Sequence, residues 1–277
     1  MFRSPAGLRS GPPLVNPWLP AGVMATVLYT AFIGLPVLAL LVRATQEGDI
    51  LGSLSGNIAI QALQLSLLTS ALSMAVVVLL GTPFAYLLAR SSSSALRIID
   101  SLVELPIVLP PVVAGVAMLM AFGRQGIIGP ALSELGIALP FTTAAVIFAQ
   151  IFVAAPFYIR AAKLGFQSVN VEYEDISQTL GVSPWWTFWR TTLPLAGPSV
   201  LSGLALAWAR AISEFGATLM FAGNLTGRTQ TMPLAIMTAM ESDLGAALAL
   251  SVMLLLGSIL VLVVLGLFTR PTWQGRL

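Results

Sequence analysis

The sequence predicts an all-α membrane protein with six transmembrane helices, and three observations carry that prediction. Of 277 residues, 57% are hydrophobic and 9% are charged, against about 25% charged in a soluble domain whose surface water must solvate. Mean hydropathy is +0.93, and the apolar residues gather into stretches long enough for a hydrocarbon core, which takes ~20 helical residues. No segment alternates apolar and polar residues as a membrane barrel strand does. In lipid only helices and closed barrels satisfy their own backbone hydrogen bonds, so the stretches are helices.

The first stretch, 21–43, follows Arg3 and Arg9 and so has the basic flank of a signal peptide. Its apolar run is longer than a signal core and no small-residue cleavage site follows, so it reads as a retained helix. The second, 58–89, is long and ends before Arg90 and the turn Ser91–Ser94. The third, 99–122, contains Pro106, Pro110 and Pro111. Each removes a helix hydrogen bond, which predicts a kink or an interruption. Gly115 beside them permits close backbone approach. Such broken helices line a pathway or pack as tolerated kinks, and both readings stay open.

The fourth stretch is 141–162, the fifth 195–222 and the sixth 244–268. In the fifth, Arg210 and Glu214 are four residues apart, which puts them on one helical face where they can pair. An unpaired charge at the bilayer centre costs ~2.5–3.5 kcal/mol on insertion scales. The pair therefore either settles helix packing or faces a translocation path, as Thr218 one turn further would. Gly203 and Gly216 fit helix–helix packing. Thr218, Asn224, Thr226, Thr229, Gln230 and Thr231 put polar groups near the outer end of this helix, with 224–230 expected to be a solvated loop. The chain thus divides into an N-terminal segment 1–20, a transmembrane domain 21–268 with a polar connection at 163–194, and a tail 269–277.

Orientation follows from the basic residues. With the N-terminus inside, Arg3, Arg9, Arg90, Arg97, Arg160, Lys163, Arg190, Arg270 and Arg276 are cytoplasmic, against Arg43, Arg124 and Arg228 outside. Both termini are therefore expected in the cytoplasm. Cys and His are both absent. That excludes disulfides, Cys/His metal sites and Ser-His-Asp catalysis. The net charge of +2 is small and the basic residues are scattered, so no nucleic-acid stripe exists.

The connection 163–194 is the one extended amphipathic loop. Glu172, Glu174 and Asp175 precede Ile176 and Leu180 at i,i+4, as in a short helix with acids at its start. Gly181 is a natural stop, and Ser183-Pro184 begins a second short helix. Trp185, Trp186, Phe188 and Trp189 then crowd one turn. A tryptophan-rich interfacial helix pair would look like this, and so would a protruding face that docks another protein.

This loop resembles the cytoplasmic signature of binding-protein-dependent ABC importer permeases: Glu-Ala-Ala, three residues, Gly, nine residues, Ile, any residue, Leu-Pro. Here it reads Asp175-Ile176-Ser177, Gly181, Thr191 and Leu193-Pro194 at that spacing. Asp-Ile-Ser replaces Glu-Ala-Ala and Thr191 replaces Ile. The runs Ala209–Asn224, Gly227–Ile236 and Glu104–Gly115, with Ala121–Gly126, resemble the molybdate/tungstate branch, and sulfate permeases share the layout. The resemblance covers the chain from its first helix to Arg270.

It implies the MetI-like permease fold and an ATP-driven importer of molybdate, or of tungstate, with sulfate or thiosulfate as the alternative anion. Glu174, Asp175, Ile176, Ser177, Gly181, Leu193 and Pro194 would couple to the ATPase. Pro110, Pro111, Gly115, Arg210, Glu214 and Thr218 are candidates for the pathway or gate. The implied partners are a second permease copy, two cytoplasmic ATPase subunits, an extracytoplasmic oxyanion-binding protein and the bilayer of a prokaryotic plasma membrane.

The only lysine, Lys163, follows Ala162 and no Gly-x-x-x-x-Gly-Lys-Ser/Thr run exists, so the chain has no phosphate loop. ATP and Mg²⁺ therefore belong on the partner, the chain binds no cofactor, and it is not expected to be an enzyme. An ion-coupled secondary transporter would need mid-membrane coupling sites and internal repeats, and no convincing repeat links 21–122 to 141–268. A membrane-embedded enzyme would need a Ser–Lys or paired-Asp site within a span, and none is present.

Overall fold

The computed structural model describes residues 19–47 and 56–269. The segment 1–18, with Arg3 and Arg9, and the segment 270–277, with Arg270 and Arg276, lie outside the described residues, as do most of the expected terminal segments 1–20 and 269–277. Among the described residues there is no strand. The chain divides into two units, Met1–Glu47 and Gly48–Leu277. Helix α1 (Leu19–Glu47) belongs to the first and carries Pro36 in its interior. It exposes Tyr29, Phe32 and Leu35, a surface suited to lipid rather than water.

The second unit is centred on three long helices, α2 (Asn57–Arg90), α7 (Thr143–Ser168) and α10 (Leu193–Ile212). Between α2 and α7 lie α3 (Ser94–Val103), α4 (Leu105–Val108), α5 (Pro111–Phe122) and α6 (Gly129–Glu134). After α7 come α8 (Val171–Thr179), α9 (Pro184–Thr187) and a π-helical turn Phe188–Thr192 leading into α10. The remaining helices are α11 (Gly216–Ala222), α12 (Met232–Ser242) and α13 (Leu244–Thr269). By length and composition α1, α2, α7, α10 and α13 can each cross a membrane, and α3–α4 with α5, bent by 120°, adds a sixth if its two arms count as one broken span.

Small residues let the central helices approach closely, as they do where lipid supplies no hydrophobic drive between helices. Ala85, Ala154, Ala162, Ala196, Ala207 and Ala211 are fully buried around Met74, Tyr158, Phe166 and Trp208. A Cβ on Gly165 would meet Ser199 Cβ at 2.6 Å, and one on Gly203 would meet Ala161 Cβ at 2.6 Å, so α7 and α10 touch at two glycines. Hydroxyls join the same helices: Trp208 Nε1 donates to Ser70 Oγ at 3.2 Å and Ser73 Oγ donates to Gln150 Oε1 at 3.0 Å. Ser66 Oγ accepts from Met232 N at 2.7 Å, which satisfies the first turn of α12.

The third stretch breaks where its prolines predict, Pro106 and Pro110-Pro111 opening it into three helical pieces. Three other expectations about the elements need correction. Residues 163–168 are the last turns of α7 rather than loop, and Lys163 there pairs with Asp100 of α3 at 2.5 Å. The fifth stretch is interrupted at 213–215, so Glu214 lies in a break and not on the face of a continuous helix. Within 224–230, Thr229 and Gln230 are buried rather than solvated, as is Thr231 after them, since Thr229 Oγ1 closes its own loop by donating to Gly223 O at 3.2 Å and accepting from Leu225 N at 2.9 Å.

Candidate functional site

Asn170 starts the 171–192 unit by accepting from Glu172 N at 3.1 Å, a side-chain cap on an otherwise unpaired donor. At the other end of α8, Val182 N donates to Ser177 O at 3.2 Å and Gly181 N to Gln178 O at 2.9 Å. This is a Schellman stop, and it needs the left-handed φ of +86° that Gly181 adopts. The chain then turns into α9, and Thr187 Oγ1 donates to Ser177 Oγ at 3.1 Å, locking the two short helices together.

The unit is braced from inside by Glu174. Its Oε1 accepts from Arg90 at 2.5 Å and from Thr192 Oγ1 at 2.9 Å, and its Oε2 accepts from Tyr86 at 3.2 Å. Arg90 also donates to Phe166 O at 2.9 Å and Val169 O at 3.3 Å, satisfying carbonyls at the end of α7. Tyr86 packs edge-on against Phe166 and Phe188, which are tilted against each other, with centroids 5.1–5.8 Å apart. Burial by itself would raise the Glu174 pKa, but the hydrogen bonds from Arg90 and Thr192 and the Arg90 charge outweigh it and hold the carboxyl below its ordinary value.

Glu174 therefore faces inward, whereas Asp175, Ile176 and Leu180 face out. Tyr173, Ile176, Leu180, Trp185 and Trp186 form an exposed apolar face around Gly181, and Arg190 stacks over Trp186 at 4.7 Å. Ser177 and Leu193 are half-buried and Pro194 is exposed where α10 begins. The role of Arg90 had no signature of its own in the sequence. A lone arginine closing a long apolar run, 84 residues before a lone inward acid, is legible only once the two meet.

A Cβ at Gly181 would touch nothing within 4 Å, so the cost of a side chain there is backbone strain, ~1–2 kcal/mol for a left-handed residue. Gly181→Ala should therefore insert and assemble normally with a modest loss of stability. Thermal unfolding of the detergent-solubilised chain measures this, and a loss well above that range for Gly181→Ala would show that the added side chain meets more than backbone strain.

The second constellation lies where two broken helices cross. A Cβ on Gly115 would meet Met220 Cβ at 2.7 Å and Ala217 O at 2.8 Å, and one on Gly216 would meet Pro111 Cβ at 2.9 Å. Thus α5 and α11 pack through a pair of glycines. In the break before α11, buried Glu214 pairs with Arg210 at 2.6 Å and accepts from Ala217 N at 2.7 Å. The carboxylate caps the start of α11, where the helix dipole favours negative charge. Thr218 is fully buried beside it. The structure so brings Pro111, Gly115, Glu214 and Thr218 to one crossing and attaches Arg210 to it, while Pro110 is the exposed residue just before α5. No group of His, Cys, Asp or Glu among the described residues could hold a metal ion.

The family described as "Binding-protein-dependent transport system inner membrane component" matches residues 81–273. The chain is 47% identical over 209 residues to the "Molybdenum transport system permease protein ModB" of Mycobacterium tuberculosis, covering 76% of this chain and 78% of that one. It is 34% identical over 237 residues to the "Sulfate transport system permease protein CysW" of Synechococcus elongatus, covering 84% and 82%. Its fold matches a chain of a bacterial ABC transporter that imports the acidic polysaccharide alginate, with a TM-score of 0.70 at 18% identity over 92% of this chain and 96% of that one.

Proposed function

The chain belongs to the binding-protein-dependent transport system inner membrane components, and from that membership we propose that it is the membrane-spanning subunit of an ATP-driven molybdate importer. Its part is to form the path and not to catalyse. The observation that carries the molybdate reading is the 47% identity to a molybdenum permease, against 34% to a sulfate permease. Tungstate shares molybdate's charge and tetrahedral geometry and is proposed as a second cargo. Sulfate is the alternative supported by the weaker likeness.

In this reading two copies of the chain form a homodimer with one path between them, within the domain 21–268 of a prokaryotic plasma membrane. Both termini and the 163–194 connection face the cytoplasm. Each copy docks one ATPase subunit on the exposed face around Gly181, with Asp175, Ile176 and Ser177 on α8 and Leu193-Pro194 carrying motion into α10. Glu174 holds that lever to α2 through Arg90. ATP and Mg²⁺ bind the ATPase pair, whose closure moves the levers and switches the path between two states. The crossing of α5 and α11, with Pro110, Pro111, Gly115, Arg210, Glu214 and Thr218, is the gate. An external binding protein delivers the anion.

Uptake of labelled molybdate at limiting concentration, with the ATPase and binding protein coexpressed, tests this reading. Uptake should be suppressed by excess tungstate, withstand excess sulfate and vanish without the ATPase. Equal competition by sulfate would overturn the molybdate assignment, and uptake without the ATPase would overturn the importer class.

A further inference from the structure

At the end of α7 opposite the 171–192 unit, ~39 Å away for 26 helical residues, a cavity of about 690 Å³ opens. It lies between the turn after α5, the approach to α7 and the loop after α11. Its walls include Arg124, Gln125, Phe141, Thr142 and Arg228 and no carboxylate. Among the described residues neither arginine makes an ion pair. In the orientation proposed above, Arg124 and Arg228 are two of the three arginines on the external side. The bias of membrane proteins against positive charge there calls for a reason to keep them.

The backbones that present them are tightly held. Around Arg124, Gly126 N donates to Gly123 O at 2.8 Å and Ile127 N to Met120 O at 3.0 Å. A Cβ on Gly129 would come within 1.7 Å of Gly123 O, so this turn closes only around a glycine. Beside Arg228, Thr143 Oγ1 donates to its carbonyl at 2.9 Å and the next residue, Thr229, is buried. Phe141 lines the cavity with φ at +61°, a left-handed conformation that a bulky residue adopts only when its surroundings impose it. Its N–H donates to Phe221 O at 3.3 Å, and its ring sits 3.0 Å from where a Cβ on Gly223 would lie. The cavity wall is thereby fixed to the far end of α11, the helix whose near end carries the Glu214 cap.

We propose that this cavity is a low-affinity receiving seat for the transported oxyanion, in which Arg124 and Arg228 hold a divalent tetrahedral anion as it leaves the binding protein. Two guanidiniums match dispersed oxygen charge with paired N–H donors. A wide, open seat gives the weak grip that onward passage requires. The seat rests on the importer reading for its ligand, and it adds a recognition role to residues outside the crossing of α5 and α11.

The test is arginine modification by phenylglyoxal in the solubilised permease–ATPase complex, read residue by residue by mass spectrometry. For a millimolar site, about 10 mM molybdate should slow modification of Arg124 and Arg228 about fivefold or more. Chloride at equal ionic strength should not slow it, and exposed Arg97 should be unaffected by either salt. In cells, R124Q/R228Q should lower uptake at limiting molybdate about tenfold, the loss expected for about 1.4 kcal/mol. No selective protection, or undiminished uptake by the double variant, overturns the seat. Protection by anion-free binding protein and not by molybdate also overturns it and makes the cavity a protein-docking face. Molybdate protection in a wild-type complex that transports none would leave the seat standing and sink the importer reading; uptake without protection would do the reverse.

Discussion

Glu174→Ala should abolish uptake while leaving the chain inserted in the membrane. The carboxylate ties α8 to α2 and to the π-helical turn, through Arg90, Tyr86 and Thr192. Breaking a buried pair costs ~3–5 kcal/mol, most of it from the charge left behind. Arg90 keeps the carbonyls of Phe166 and Val169, which places the loss at the lower end, about 3 kcal/mol. That loss falls on a short lever with few other internal bonds, so ATP hydrolysis should continue without moving anion.

Glu174→Gln keeps the hydrogen-bond geometry without the charge and should fall between wild type and Glu174→Ala. Arg90→Ala should cost more than Glu174→Ala, because it also strips the carbonyls of Phe166 and Val169, and the double variant should cost little more than Arg90→Ala alone, since the ion pair is then already lost. Normal transport by a well-expressed Glu174→Ala would remove the brace from the mechanism. The pH dependence has a defined sign. The folded carboxyl titrates below its ordinary value of 4.5, so the brace is fully present above that pH and is lost as pH falls through the lower, folded value. Fluorescence of Trp185, Trp186 and Trp189 should be flat from neutrality to about that pH and change only below it.

Gly115→Ala and Gly216→Ala should each destabilise the protein, despite adding one methyl group. The added Cβ meets atoms that cannot rotate away: Ala217 O and Met220 Cβ for Gly115, Pro111 Cβ and Val112 N for Gly216. Overpacking of this kind costs ~1–3 kcal/mol, and valine at either position should prevent the two broken helices from meeting. Gly257, in α13, has nothing within 4 Å of its Cβ position. Gly257→Ala should be neutral or stabilising, since alanine is favoured in a helix by ~1 kcal/mol. Thermal unfolding of the detergent-solubilised chain measures all three. Equal melting temperatures for Gly115→Ala, Gly216→Ala and Gly257→Ala would show that α5 and α11 do not need this contact.

Both of these sites were partly legible in the sequence. The prolines at 106, 110 and 111 announced the break in the third stretch, because a missing N–H is a local property. Gly181 announced the end of α8 for the same reason. Interruption of the fifth stretch was not announced, since Ala209–Ala222 contains no proline and keeps a helical spacing of Arg210 and Glu214. What opens it is Glu214 turning to cap Ala217 N and start a new helix against α5. The burial of Thr229 and Gln230 was missed because a polar run reads as solvated until its hydrogen-bond partners are known, and the helix α12 was missed because its apolar run is too short to read as a span.

Composition and local chemistry alone determined that the chain lives in lipid, that its spans are helical, roughly where they lie, and that no metal or nucleophile chemistry of Cys or His is possible. Those are properties of single residues and of runs along the chain. Tertiary structure alone decided that Glu174 points inward to Arg90 and leaves its neighbours exposed. It alone brought Gly115 and Gly216, 101 positions apart, into one crossing, and gathered Arg124 and Arg228 at one cavity. Pairings between distant segments depend on which faces of the helices pack together. That choice is made by close contacts among small residues spread over the whole sequence, and no local window contains it.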